Sequence, residues 1–187
     1  YGISYPGFYT TYSLLDAHPA LKAASPQACI GDFFFDDFIH NGAYLLSYWR
    51  ATSVFGYMKD TPTTESWYKF PDLGTEDQHQ FFLDYMPLSK LNKFYDSTNV
   101  FMEQLKTHVT YDDFWKSRGI IQHLKDIKPA TMVVGGFFDA EDLYGPFNTY
   151  KNIENNSDNY NTVVFGPWSH GDWARNSERQ VVGNIHF

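Results

Sequence analysis

An α/β fold with a parallel sheet is predicted by three features of this sequence. Two short apolar runs, PATMVVGGFFD (129–139) and NTVVFGPWSH (161–170), read as buried strands. The segment between them, DAEDLYGPFNTYKNIEN, reads as loop plus helix, and strand–helix–strand order implies parallel pairing. Near the N-terminus, a helix-like stretch is followed by a third small and apolar run, LKAASPQACI.

Taken in order, PGFYTTYSLLDA (6–17) is expected to be helical. Pro6 suits a first turn, Phe8, Tyr12 and Leu15 recur at helical spacing, and Pro19 opposes continuation. LKAASPQACI then reads as a short buried strand with its loop, followed by the aromatic and acidic run GDFFFDDFIHNG. From about Ala43 to Ile127 the character changes. AYLLSYWRATSVFGYM, EDQHQFFLDYM and TNVFMEQLKTH read as helices, joined by turn-rich TPTT and MPLS, with no convincing strand. This predicts a mainly helical insert of roughly 85 residues, a common size for a small domain. The expected boundaries are 1–38 for the first part of the core, 39–127 for the insert and 128–187 for the second part. There is no internal repeat or low-complexity tract.

Composition narrows the classes. Hydrophobic residues at 43% against charged residues at 19% fit a folded globule rather than a disordered chain. The 14 Tyr, 17 Phe and 5 Trp supply the rings that line organic-substrate pockets, or simply an aromatic core. A net charge of −8 disfavours nucleic acid and anionic membranes as partners and suits a cationic substrate. Cys29, the single cysteine, has no internal disulfide partner and reads as a buried inert thiol. No stretch approaches a membrane span and no signal peptide is visible. Only three residues precede Ser4, so the chain is expected to be a fragment of a longer protein.

The chemistry concentrates at three places. Gly2-Ile3-Ser4-Tyr5-Pro6-Gly7 has the G-x-S-x-x-G form of a nucleophile elbow, a strand-to-helix turn sharp enough to project a serine. The Tyr5 backbone N–H would then face a developing oxyanion at the positive end of the following helix. A short Gly-Ser-Gly pattern is by itself more often a plain turn. Asp139 ends one predicted strand, where an acid can orient a histidine or serve as a turn acid. His170 ends the other, as a general base or as a structural histidine. Serine, acid and histidine, each after a strand and in this order, match the α/β-hydrolase arrangement.

GISYPGFYTTYSLLDAHPALKAASPQ, GGFFDAEDLYG and GPWSHGDW together resemble the cocaine esterase / X-Pro dipeptidyl peptidase / α-amino acid ester hydrolase superfamily. The resemblance implies an α/β-hydrolase core, here without its N-terminal strands, interrupted by a helical cap. It implies Ser4 as nucleophile, Asp139 as triad acid, His170 as base and the Tyr5 backbone N–H as one oxyanion donor. A second donor, a tyrosine hydroxyl, and a C-terminal jelly-roll domain are expected outside this chain, which can therefore lack activity on its own.

The α-amino acid ester hydrolase branch fits best. It carries a carboxylate cluster for the substrate's α-ammonium group, partly in a D-x-E-D pattern that here reads Asp139-Ala140-Glu141-Asp142. The third member matches Asp37 in Asp36-Asp37-Phe38-Ile39-His40. Charge logic supports the same residues, because gathered carboxylates repel each other and a cation relieves that repulsion. Acids at a helix start are the structural alternative for Glu141 and Asp142.

The expected activity is two-step acyl transfer on small α-amino acid esters or related β-lactam amides. The alternatives are an X-Pro dipeptidyl peptidase or a glutaryl-type acylase of the same superfamily, the latter disfavoured by an acidic pocket. A non-catalytic binding module retaining the fold is the alternative outside enzymes. The expected partner is the small ester or amide substrate, with homo-oligomerisation open. No cofactor and no metal are expected, because His18 and His40 lack regular metal-ligand spacing. His79, His108, His123 and His186 read as structural or exposed. Trp168 and Trp173 are expected to pack around the base loop. A periplasmic or secreted location is implied by the resemblance alone.

Overall fold

The computed structural model describes residues 1–56, 61–62, 64, 72–95, 99–175, 181–182 and 185–186. In chain order the strands and α-helices are β1 Gly2–Ser4, α1 Tyr5–Tyr12, β2 Ala23–Ala24, β3 Pro26–Cys29, β4 Ile39–His40, β5 Ala43–Tyr44, α2 Leu46–Gly56, α3 Gln78–Tyr85, α4 Val100–Thr107, α5 Asp113–Lys116, β6 Ala130–Gly136, α6 Tyr144–Asn156, β7 Asn161–Gly166, β8 Val181–Val182 and β9 Ile185–His186. A π-type turn, Phe34–Phe38, follows β3. None of the helices among the described residues is long and apolar enough to cross a membrane.

The chain forms two compact units, Tyr1–Ala43 with Asp113–Phe187, and Tyr44–Asp112. The first contains a wholly parallel sheet. β1 pairs with β3, β2 and β3 both pair with β6, and β7 pairs with β6 on its other side. Since Ala23 lies opposite Ala130 and Gln27 opposite Val134, β2 and β3 act as one interrupted strand. Pro26 has no N–H to give, which interrupts the pairing with β6, and Ala28, at a left-handed φ of 37°, is the residue skipped where Gln27 and Cys29 pair with Ile3 and Ser4. β6 and β7 run in register from Thr131–Asn161 to Gly136–Gly166.

α1 packs on β1 and β3, and α6 on β3, β6 and β7. Leu14, Leu124, Ile127 and Ile153 form a buried cluster under this layer. Each such side chain contributes about 1.5–3 kcal/mol of hydrophobic stabilisation. Cys29 is fully buried beside the Thr149 hydroxyl, and burial pushes its thiol up to about 12, so it is unreactive at neutral pH.

α1 is shorter than the sequence predicts. It ends at Tyr12, the Ser13 hydroxyl bonds the Thr10 carbonyl, and Asp16 turns left-handed at φ 47°. Leu15 therefore sits in a turn instead of on the helix. The strand predicted to run to His170 stops at Gly166, and the histidine stands four residues further on in a loop.

The second unit is built around Trp49, which is fully buried among the rings of Phe81, Phe82, Phe94 and Tyr95. Asp77 caps α3 by accepting the Gln80 N–H, and Asn99 caps α4 by accepting the Met102 N–H. α2, α3 and α4 fall within the three predicted helices, and β5 is a short strand the sequence did not suggest. Tyr57, Met58 and Thr98 of those predicted helices, and Thr63 of the first joint, lie outside the described residues.

Candidate active site

A parallel sheet brings all its strand C-termini to one edge, and each of them leads into a candidate residue. β1 ends in Ser4, β3 leads to Asp36 and Asp37, β6 to Asp139, Glu141 and Asp142, and β7 to His170.

Ser4 has φ 65° and ψ −128°, a conformation that an L-residue seldom adopts and that sharp elbows impose. Close backbone approach explains the flanking glycines. A Cβ on Gly2 would lie 2.2 Å from the Pro6 carbonyl oxygen, and one on Gly7 would lie 2.5 Å from that of Gln27. Tyr5 is the first residue of α1, a position whose N–H has no acceptor within the helix. The Ser4 side chain makes no capping hydrogen bond to α1.

His170 Nδ1 lies 2.8 Å from Asp139 Oδ2. The other Asp139 oxygen accepts the N–H groups of Glu141 at 2.9 Å and Asp142 at 3.0 Å. Asp139 thus serves both as imidazole partner and as turn acid. Burial alone would raise its carboxyl, but the His170 bond and charge and the two N–H groups bring it below its ordinary range. Burial alone would lower His170, and the Asp139 bond, with the charges of Asp139, Glu141 and Asp37, raises it instead.

The loop holding His170 is itself anchored. The Trp173 indole donates to Gln27 Oε1 at 2.8 Å, and the rings of Trp168 and Trp173 lie 5.5 Å apart. Gly171, at φ 75°, approaches Ile3 so closely that a Cβ there would be 3.2 Å from its side chain. The histidine loop and the serine strand are therefore direct neighbours. The Trp173–Gln27 bond went unseen in the sequence because it joins residues 146 positions apart.

The acids divide by role. Asp36 is fully buried, accepting the N–H groups of Gly31 and Asp32 on one oxygen and of Gly145 on the other. Burial pushes it up to about 8 against those three bonds. It ties the turn after β3 to the start of α6, which sequence reading of the Asp-Asp pair did not reveal.

Asp142 differs. Its carboxylate is fully buried, and neither oxygen receives a hydrogen bond from a donor among the described residues. Its near neighbour is the Asp37 carboxyl, with which it can bond only when one of the two keeps a proton. Burial, then Asp37 and Asp36, hold Asp142 well above the usual carboxylate range. His170 Nε2 lies 3.6 Å from Glu141 and 4.0 Å from Asp142. Burial, with the neighbouring Tyr9 and the Asp37 charge, raises the Tyr5 phenol to about 12. Asp37 thus acts on Tyr5, Asp142 and His170 alike. Glu141 and Asp142 do not cap α6, whose first turn holds no acid.

A cleft of about 570 Å³ opens beside this group, lined by Phe35, His40, Glu141, Leu143, Tyr144 and Phe147. Another cavity of about 470 Å³, near Leu14, His123 and Lys128, lies by the N-terminal end of β6, away from the candidate residues. His40 bonds the Asp36 carbonyl, and His108 pairs with Asp112 at 2.6 Å in the second unit. The His186 side chain lies outside the described residues.

A parallel sheet with a serine elbow at one strand end, and helices packed along it, is an α/β-hydrolase core. Residues 1–172 match the model of the X-Pro dipeptidyl-peptidase (S15) family, and the chain belongs to that family. It is similar to a solved α-amino acid ester hydrolase, with 25% identity and a TM-score of 0.79 over 91% of this chain and 28% of that one. It is also similar to the crystal structure of an aminopeptidase from the marine sediment archaeon Thaumarchaeota archaeon. That match has 28% identity and a TM-score of 0.82 over 100% of this chain and 30% of that one. The chain spans less than a third of the length of either protein. No curated protein matches it.

Proposed function

We propose that the full-length protein is a serine hydrolase that transfers acyl groups from small α-amino acid esters, or related β-lactam amides, through an acyl-enzyme. Ser4 attacks the carbonyl, His170 takes its proton through Nε2, and Asp139 holds the imidazole and stabilises its cation. The Tyr5 N–H donates to the oxyanion. Water or an amine then releases the acyl group.

The observation that carries the substrate reading is Asp142, buried with no donor among the described residues and facing a second carboxylate. A substrate ammonium set between Asp37, Glu141 and Asp142 supplies the missing donors and removes the repulsion. It also draws Glu141 and Asp142 away from His170 Nε2, leaving that nitrogen to Ser4. Charge-assisted hydrogen bonds contribute about 1.5–3 kcal/mol each, so losing one costs about tenfold or more in rate.

The test compares an amino ester with its des-amino analogue. In Glu141→Gln and Asp37→Asn variants of the full-length protein, kcat/KM should fall about tenfold or more for the amino ester and stay near wild type for the analogue. Equal losses on both substrates would remove the ammonium site and leave a serine hydrolase of another specificity.

A second reading rests on the same cluster. A free peptide N-terminus carries the same ammonium group, so an aminopeptidase would use Asp37, Glu141 and Asp142 identically. An amino-acyl peptide cleaved faster than the matching ester under equal conditions would favour it.

A further inference from the structure

His170, Glu141 and Asp142 converge as a donor set that an ammonium does not require. His170 brings a ring nitrogen from the loop after β7, and the two acids bring oxygens from the loop after β6. One ligand atom from each lies within 4.8 Å of the others. His170 Nε2 stands 3.6 Å from Glu141 Oε2 and 4.0 Å from Asp142 Oδ2. Tetrahedral zinc with bonds of about 2.0–2.2 Å places its ligands about 3.4 Å apart. Closing these two edges takes shifts of about 0.2 and 0.6 Å, and the edge between the two acids, within 4.8 Å, closes by turning the half-exposed Glu141 carboxylate.

Two further observations point to a cation with an affinity for nitrogen. His170 Nδ1 is already bonded to Asp139, so the neutral imidazole presents its Nε2 lone pair to the acids. A carboxylate behind a histidine that faces a metal is the usual outer-shell arrangement. Asp142 Oδ1 and Oδ2 are buried and receive no hydrogen bond from a donor among the described residues, which leaves them open to a cation.

We infer that His170, Glu141 and Asp142 bind one divalent transition-metal ion of the Zn²⁺ class, and that this ion switches the hydrolase off. Imidazole with carboxylate selects such ions over Ca²⁺ and Mg²⁺, which prefer all-oxygen sites. The inhibition rests on the reading of His170 as base. Coordination occupies the Nε2 lone pair that would otherwise take the Ser4 proton, and any proton held by His170, Glu141 or Asp142 is released to solvent as the metal bonds form. The ion also takes the acids proposed to hold the ammonium, so metal and amino ester exclude each other.

The experiment titrates full-length protein with ZnCl₂ by calorimetry and with CoCl₂ by visible absorption, alongside hydrolysis assays. One site per chain is expected, with the absorption of four-coordinate Co²⁺. Ser4→Ala should keep the binding while losing hydrolysis. His170→Gln and Glu141→Gln, each with an unchanged far-ultraviolet spectrum, should weaken binding at least tenfold. In the wild type, inhibition should follow the binding curve and be reversed by EDTA, with no effect of MgCl₂ or CaCl₂. Metal binding equal in wild type, His170→Gln and Glu141→Gln would overturn the site. Binding that these variants weaken, at a site where metal leaves hydrolysis intact, would overturn the switch. A wild type that binds metal through His170 yet hydrolyses no ester would keep the site and reject the hydrolase reading.

Discussion

Asp139 divides its two carboxylate oxygens between two tasks, one facing His170 Nδ1 at 2.8 Å and the other accepting the backbone N–H groups of Glu141 and Asp142. One side chain thereby orients the imidazole and shapes the turn that aims the neighbouring acids. Substitution at Asp139 should therefore disturb both chemistry and acid placement.

Asp139→Asn tests the first task. An amide still bonds the ring but can donate to Nδ1, favouring the wrong tautomer. The kcat for ester hydrolysis should fall about 10³–10⁴-fold with the fold retained. Steady-state rates with a far-ultraviolet spectrum check it, and a loss below tenfold would remove Asp139 from the mechanism.

The pH profile follows from the acids around the base. His170 holds its proton above the ordinary histidine range, because the Asp139 bond and the Asp139, Glu141 and Asp37 charges outweigh burial. A base works unprotonated, so activity should be low below that raised pKa and climb as pH passes through it. Glu141→Gln removes one charge that retains the proton. The acidic limb of kcat/KM for a des-amino ester should then move to lower pH, and an unmoved limb contradicts the assignment.

Asp36 should prove structural. Its folded pKa of about 8 lies above the roughly 3.9 of an unfolded aspartate. The stability linked to its proton is complete below the unfolded value and is lost as pH rises through the folded one. Asp36→Asn stays neutral, so it should flatten that dependence. It also sets an NH₂ against one of the backbone donors, costing on the order of 1–3 kcal/mol. Denaturant midpoints at pH 5 and pH 8 measure both effects.

Gly7→Ala tests the elbow. The added methyl would stand 2.5 Å from the Gln27 carbonyl oxygen and 3.1 Å from the Cys29 Cβ, and neither β3 contact can yield without moving the strand. A stability loss of about 1–3 kcal/mol is expected, with a fall in kcat as Ser4 shifts. An alanine variant as stable and active as wild type would show that the close approach is dispensable.

Much of this protein was legible in its sequence because the informative signals are local. Alternating strand and helix grammar around Val133, Val134, Val163 and Val164 already specified parallel pairing. Gly2, Ser4 and Gly7 specified a sharp turn because backbone sterics act over a few residues. What needed the tertiary structure was every distinction that depends on burial and on partners distant in the chain. Asp36 and Asp37 are adjacent and chemically identical, yet one is satisfied by three backbone N–H groups and the other faces Asp142. Asp139 and Asp142 likewise differ only in that one meets donors and the other a second carboxylate. The grouping of His170 with Glu141 and Asp142 is also invisible to spacing rules, since its members leave different strands and meet only at the common edge of the sheet. Sequence patterns report which groups are present, whereas their desolvation and mutual distance, which set charge and affinity, exist only once the strands are paired.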